Sequence, residues 1–303
     1  MNVLVTGGTG FIGTALCERL AIDGHSVCVL SRQISRVEAG VRSISHLDEL
    51  VGLGEQASID VVINLAGEPI ADNRWSDEQK ESIIHSRIGT TRNLIELFKD
   101  MPRRPSVFIS GSAVGYYGVQ KSDDDIDEYA AGDDSFSSQL CQQWESVAMQ
   151  AEVLGIRTCL LRTGIVLGEG GGALSKMLLP FKLGLGGRIG SGDQWMPWVH
   201  LDDMVSIIMH CMNTDSVRGA VNATAPSPQK NSVFSKTLAK ALNRPAVFPM
   251  PAFVVRLLMG QMGEELLLAG KKVVPKHLTN SGFVFQYPEL EDALNDIVRH
   301  LQE

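Results

Sequence analysis

Gly7, Gly10 and Gly13 stand three residues apart, directly after the apolar run Val3, Leu4, Val5. That spacing suits the phosphates of a dinucleotide. In a strand, tight turn and helix, Gly7 permits the turn. Gly10 lets the backbone approach a pyrophosphate, and Gly13 lets the helix pack closely on the strand. The helix N-terminus then presents unpaired N–H groups and a positive dipole end to the anion. Ile12, Ala15, Leu16 and Leu20 fall on one helix face, which supplies the context that a bare glycine triplet lacks. Thr6, Gly7, Thr9, Gly10, Phe11, Ile12 and Gly13 are therefore the candidate cofactor-binding turn.

Cofactor choice in such a site depends on the end of the second strand, where a carboxylate would hold the ribose 2′-hydroxyl of NAD. Here the chain has Ser31 and Arg32, with Arg36 one helical turn later. A guanidinium can fork onto a 2′-phosphate, so NADP is expected in preference to NAD. Leu65, Ala66 and Gly67 follow another strand-like run and extend the cofactor site. Glu68, Arg74 and Trp75 come next, and an arginine beside a tryptophan offers an anion fork and a stacking face to a substrate. Arg162 ends a strand and is placed either on an anionic group of the cofactor or on a carboxylate partner. His200 is a substrate-side candidate. No second histidine stands at ligand spacing from it, and Asp202 and Asp203 suit a helix cap, so no metal site is expected.

These residues need a scaffold that brings loops together. Ser26–Leu30, Asp60–Leu65, Ser106–Ser110 and Arg157–Leu161 read as buried parallel strands, alternating with helical patterns over Asp77–Lys99 and Ser137–Leu154. The alternation predicts an α/β fold, a Rossmann-type doubly wound parallel sheet with its crevice at the carboxyl ends of the strands. Residues 1–215 form the expected dinucleotide-binding domain, and its glycine-dense stretch 168–202 reads as a substrate-side loop. Residues 216–303 form a smaller C-terminal subdomain covering the crevice, with a tail over 249–296. The leucine- and methionine-rich stretch Leu257–Leu268 is expected in the core.

A net charge of −8 over 303 residues argues against a nucleic-acid partner, which needs excess lysine and arginine. No apolar run approaches the ~18 residues of a membrane span. The opening strand lacks the basic-then-apolar pattern of a secretion signal, and five scattered cysteines suit reduced core residues, so a cytoplasmic protein is expected. The expected partner is a small polar molecule, and none of these patterns specifies an oligomeric state.

Thr6 to Gly13, Asn64 to Gly67, Ser110 to Val114, Leu161 to Gly164 and Trp198 to Asp203 resemble the extended short-chain dehydrogenase/reductase superfamily. Asn64 to Ala71 followed by Arg74 and Trp75 is similar to the YfcH-type epimerase-like family, whose relatives include SulA-like proteins. The stretch Pro249 to Asp296 resembles the small domain of unknown function that ends those proteins. The resemblance implies an NAD-dependent epimerase/dehydratase type of fold and a Tyr-x-x-x-Lys dyad, in which Tyr is the acid/base, Lys lowers its pKa and holds the nicotinamide ribose, and a serine hydroxyl polarises the substrate carbonyl. This chain lacks that dyad. Ser112 fits the hydroxyl position. Aligning the helix by Trp144 and Glu145 puts Ser137 at the tyrosine position and Cys141 at the lysine position, while Ser86 replaces an asparagine. Tyr116 and Tyr117 are the candidates to supply a phenol instead. The expectation is an NADP(H)-dependent oxidoreductase or epimerase-like enzyme. The alternative is an NADP(H)-binding regulator without catalysis, with a role related to cell division.

Overall fold

The computed structural model describes residues 1–31, 41–51, 58–119 and 123–301. Arg32 and Arg36 lie outside the described residues. Short, mostly buried runs form β1 (Asn2–Thr6), β2 (Ser26–Leu30), β3 (Arg42–Ile44), β4 (Val61–Asn64), β5 (Val107–Ala113) and β6 (Arg157–Thr163), of which the short edge strand β3 buries only Ile44. With the edge strand Gly219–Ala223 they make one seven-stranded sheet. Its order is Gly219–Ala223, β6, β5, β4, β1, β2, β3, and every pairing is parallel. The chain builds outward from β1 to β3 and then returns to β4 on the other side of β1. That reversal opens the crevice beside the carboxyl ends of β1 and β4.

Side-chain alternation assigns the two core layers. Val3, Val5, Val29, Ile63 and Ile109 pack with α1 (Phe11–Ile22) and the helix Leu201–Asn213. Leu4, Val62 and Phe108 face the opposite way, against Leu94 and Phe98 of the helix Thr90–Asp100. Each of these fully buried side chains contributes roughly 1.5–3 kcal/mol by leaving water, so the sheet holds its loop ends on a rigid base.

The structure revises three expectations. Stretch 168–202 is not a plain loop: it holds the helix Gly172–Lys182 and the strand Trp198–His200, which pairs with Ile165–Leu167. Leu174, Leu178 and Phe181 give that helix an apolar face, buried with Phe234, Leu238 and Leu294. The strand Gly219–Ala223 belongs to the main sheet, so a boundary at residue 216 cuts the sheet. The helix Leu201–Asn213 acts as the crossover that delivers that strand parallel to β6. Leu257 and Leu258 are exposed, at 72% and 63%, while Met262 is buried. The helix Ala252–Met259 turns only Val255 fully inward.

Candidate functional site

Sterics determine the glycine turn. Gly7 has a φ of +72°, and a Cβ there would lie 2.7 Å from the Leu65 carbonyl carbon. A Cβ on Gly13 would lie 2.1 Å from the Gly7 oxygen. Both positions exclude any side chain. Gly10 differs: it is exposed, and a Cβ would meet only the Gly7 oxygen, at 3.2 Å. Gly10 caps α1 in extended conformation. Among the described residues no side chain bonds to that cap and no acid lies in the first turn. The helix end is therefore a bare cradle of N–H donors that fits a pyrophosphate. Thr9, Phe11 and Ile12 are half-buried around it. The Phe11 ring is covered by glycines of the 168–172 segment, where a Cβ on Gly171 would approach it to 2.5 Å. Glycine there serves close packing over the cofactor turn.

A buried polar chain joins the neighbouring loops. Thr6 Oγ1 donates to Asn64 Oδ1 at 2.6 Å, and Asn64 Nδ2 donates to Thr91 Oγ1 at 2.9 Å. The Trp144 indole N–H donates to the same Thr91 oxygen at 2.8 Å. Thr6 is 1% exposed, so it braces the Leu65–Gly67 loop from beneath, and Ala66 N–H reaches its hydroxyl at 3.3 Å. Leu65 and Ala66 are half-buried and Gly67 is exposed at the rim. Ser31 is buried at the end of β2, its N–H donating to the Ile44 carbonyl at 3.0 Å.

The helical run Asp77–Asp100 contains a wide π-type turn over His85–Gly89, a feature often found at functional sites. It carries Ser86 and Arg87 under the next loop. Ser86 Oγ accepts from Glu68 N–H at 3.0 Å, and Arg87 Nη2 donates to the Glu68 carbonyl at 2.9 Å. The Arg87 guanidinium lies below Gly67, where a Cβ would approach its Cζ to 3.0 Å.

The candidate catalytic hydroxyl has a buried partner. Ser112 is 5% exposed, and its Oγ donates to Glu145 Oε1 at 2.6 Å. Arg162, its neighbour across the sheet, closes a bidentate pair on Glu145 through Nε and Nη2, both at 2.9 Å. Arg162 Nη1 donates to the Tyr117 hydroxyl oxygen at 3.0 Å, and Tyr117 donates to Asn222 Oδ1 at 2.6 Å. Burial by itself would lower the Arg162 pKa, but the Glu145 carboxylate outweighs it and holds the guanidinium firmly charged. Burial pushes the Tyr117 phenol up to about 12. Tyr117 is fully enclosed. Arg162 thus takes the carboxylate alternative, and Ser112 and Tyr117 have their hydroxyls engaged inside the protein. Tyr116 is half-buried, with the Arg162 guanidinium 3.4 Å from its ring centre.

At the dyad positions, the C-terminal segment fills the space. Ser137 Oγ donates to Glu265 Oε2 at 2.7 Å, and its N–H reaches the same oxygen at 3.0 Å. Cys141 is 3% exposed, and burial pushes its thiol up to about 11. Lys271 is 7% exposed and shares its surroundings with Cys141, Asp133 and Glu265.

The substrate-side candidates separate. Glu68 is half-buried beside the crevice loop, accepting from Ser82 Oγ at 3.1 Å. Arg74 is exposed, its Nε lying 3.0 Å from where a Gly260 Cβ would be. Trp75 is buried, donating to the Ile70 carbonyl at 2.9 Å and meeting Phe136 edge-on at 4.8 Å. Its role is to dock the Glu68–Trp75 block on Met262 and Leu140. His200 is buried at the start of the helix Leu201–Asn213, where Nδ1 accepts from Asp202 N–H at 3.1 Å and the ring stacks on Tyr287 at 4.0 Å. Burial holds its pKa below the usual histidine value. It caps a helix and joins none of the crevice loops through these contacts.

Arg87, Glu145, Glu265 and Lys271 were not singled out as site residues by sequence reasoning. Glu145 sits one helical turn beyond Cys141, but only the fold shows what it bonds. A separate cavity lined by Met1, Val61, Arg157 and Arg218 opens at the amino ends of the strands, remote from this chemistry. Arg157 there is engaged with the Cys211, Met212 and Val217 carbonyls. Among the described residues, no helix is long and apolar enough to cross a membrane, and no cluster of His, Cys, Asp and Glu could hold a metal ion.

The profile of the NAD dependent epimerase/dehydratase family matches residues 3–223, and a domain of unknown function, DUF1731, matches residues 250–297. The chain is 40% identical over 300 residues to the human epimerase family protein SDR39U1, covering 98% of this chain and 100% of that protein. It is 37% identical over 300 residues to the epimerase family protein YfhF of Bacillus subtilis, covering 98% of each. A crystal structure of the human protein (isoform 2) with NADPH matches with a TM-score of 0.88 at 39% identity, over 99% of each chain.

Proposed function

The chain belongs to the NAD dependent epimerase/dehydratase family, and from that premise we propose an NADP(H)-dependent oxidoreductase or epimerase-like enzyme acting on a small polar molecule. The observation that carries this reading is the open glycine cradle at the end of α1, in a fold whose human relative was crystallised with NADPH. Gly7, Thr9, Gly10, Phe11, Ile12 and Gly13 would hold the pyrophosphate, Ser31 and Arg32 the adenosine end, and Leu65, Ala66 and Gly67 the opposite wall. Bound NADPH would supply a hydride at its nicotinamide. The chain's own part is to orient and to manage protons: Arg87 and Glu68 place charge beside Gly67, and Tyr116 is the half-buried one of the two candidate phenols. Thr6, Ser112 and Arg162 act through the walls they brace. We also propose that the C-terminal segment forms the substrate-side cover. The five buried, unbridged cysteines support a cytoplasmic setting.

The test is titration of the purified protein with NADPH and NADH, followed by a carbonyl and alcohol panel read at the NADPH absorbance. NADPH should bind more tightly, and Arg32→Ala should remove that preference. Failure to bind either cofactor would sink the reading. A second reading, an NADP(H)-binding regulator, is favoured by the Ser137–Glu265 bond and the neutral Cys141 thiol at the dyad positions. Tight NADPH binding without turnover across the panel would select it.

A further inference from the structure

Lys271 is a nearly buried cation beside the place where a catalytic lysine is missing. Its backbone is pinned: a Cβ on Gly270 would lie 2.4 Å from the Trp195 backbone, and Ile126 N–H donates to the Lys272 carbonyl at 2.9 Å. Lys272 turns outward, with its Nζ 2.8 Å from Asp125. Lys271 turns inward and is 7% exposed.

The groups that face it are Cys141 and Asp133, with Glu265 from its own segment. None supplies a paired counter-charge. Glu265 accepts from Ser137 and from Gln261, the latter at 2.8 Å. Asp133 accepts from Ser135 N–H at 2.9 Å and from Val119 N–H at 2.7 Å. The Cys141 thiol stays neutral and also faces Arg87. Among the described residues Lys271 makes no hydrogen bond and no ion pair. Burial pushes its pKa down to about 8. An unpaired buried ammonium is costly, and such groups cluster where a ligand completes the site.

We infer that Lys271, reaching across from the C-terminal segment, occupies the place of the missing dyad lysine and donates hydrogen bonds to the nicotinamide-ribose hydroxyls of bound NADP(H). This rests on the NADP(H) reading above. It adds a ligand-binding residue from a segment whose matching domain has no assigned function.

The experiment compares NADPH with 2′,5′-ADP, which keeps the adenosine 2′-phosphate half and lacks the nicotinamide ribose. Lys271→Met should weaken NADPH roughly 10–100-fold, as expected for losing a charged hydrogen bond. It should leave 2′,5′-ADP unchanged, and Lys271→Arg should recover part of the loss. In wild-type protein carrying carbon-13 at the lysine Cε, the resonance lost in Lys271→Arg should titrate near pH 8 and shift on adding NADPH. That measurement holds even if Lys271→Met fails to fold. Unchanged NADPH affinity in Lys271→Met, equal loss of both ligands, or a Lys271 resonance indifferent to NADPH would overturn the inference alone. A wild-type protein that binds neither ligand would remove the NADP(H) reading and this inference with it.

Discussion

Ser112 and Glu145 lie 33 residues apart and meet through a 2.6 Å hydrogen bond, on the same carboxylate oxygen that accepts from Arg162. The serine expected to polarise a substrate is thereby part of a buried charge network. Ser112→Ala should cost about 1.5–3 kcal/mol of stability, the range for a hydrogen bond to a charged group. A urea midpoint measures it, and NADPH affinity should hold. An unchanged midpoint with lost turnover would return the hydroxyl to the substrate.

Arg162→Met leaves the Glu145 carboxylate buried without its cation. Breaking such a pair from one side costs about 3–5 kcal/mol. The double variant Arg162→Met with Glu145→Leu removes both charges and should lose less than the sum of the two single changes. Strict additivity in denaturant unfolding would mean that the two side chains do not act as a pair.

The glycine turn separates fold from binding. Gly13→Ala pushes a methyl into the Gly7 carbonyl and should cost about 1–3 kcal/mol or more in thermal unfolding, as overpacking does. Gly10→Ala meets only one atom, at 3.2 Å, so the melting temperature should stay close to that of wild type while NADPH titration shows weaker binding. Normal binding by Gly10→Ala would place the pyrophosphate elsewhere.

Lys271 makes stability depend on pH in a defined direction. Its pKa falls from 10.5 to about 8 on folding, so between those values the unfolded chain binds more protons and stability rises with pH. The benefit is fully present above the unfolded value and is lost as pH falls through about 8. Lys271→Met should therefore stabilise the folded protein by on the order of 1–3 kcal/mol at pH 7. That gain should fade towards pH 10.5. Parallel melting curves of variant and wild type across this range test the sign. A gain independent of pH would show that the ammonium is not responsible.

Local patterns carried what depends on neighbours in the chain. The apolar strands and the spacing of Gly7, Gly10 and Gly13 are readable because strand burial and turn sterics act over a few residues, whereas the replaced Tyr-x-x-x-Lys pair is legible only through the family resemblance. The helix Gly172–Lys182 was hidden under glycines, whose density reads as loop although Gly168, Gly171 and Gly172 pack on the Phe11 ring. What each polar side chain does with its hydrogen bonds is a different matter. Glu265 meets Ser137 across 128 residues of chain, Tyr117 meets Asn222 across 105, and Lys271 comes to rest beside Cys141. Those pairings have no period or spacing in sequence. They exist because folding buries the groups together, and a buried donor or charge takes whichever partner the tertiary structure brings within reach.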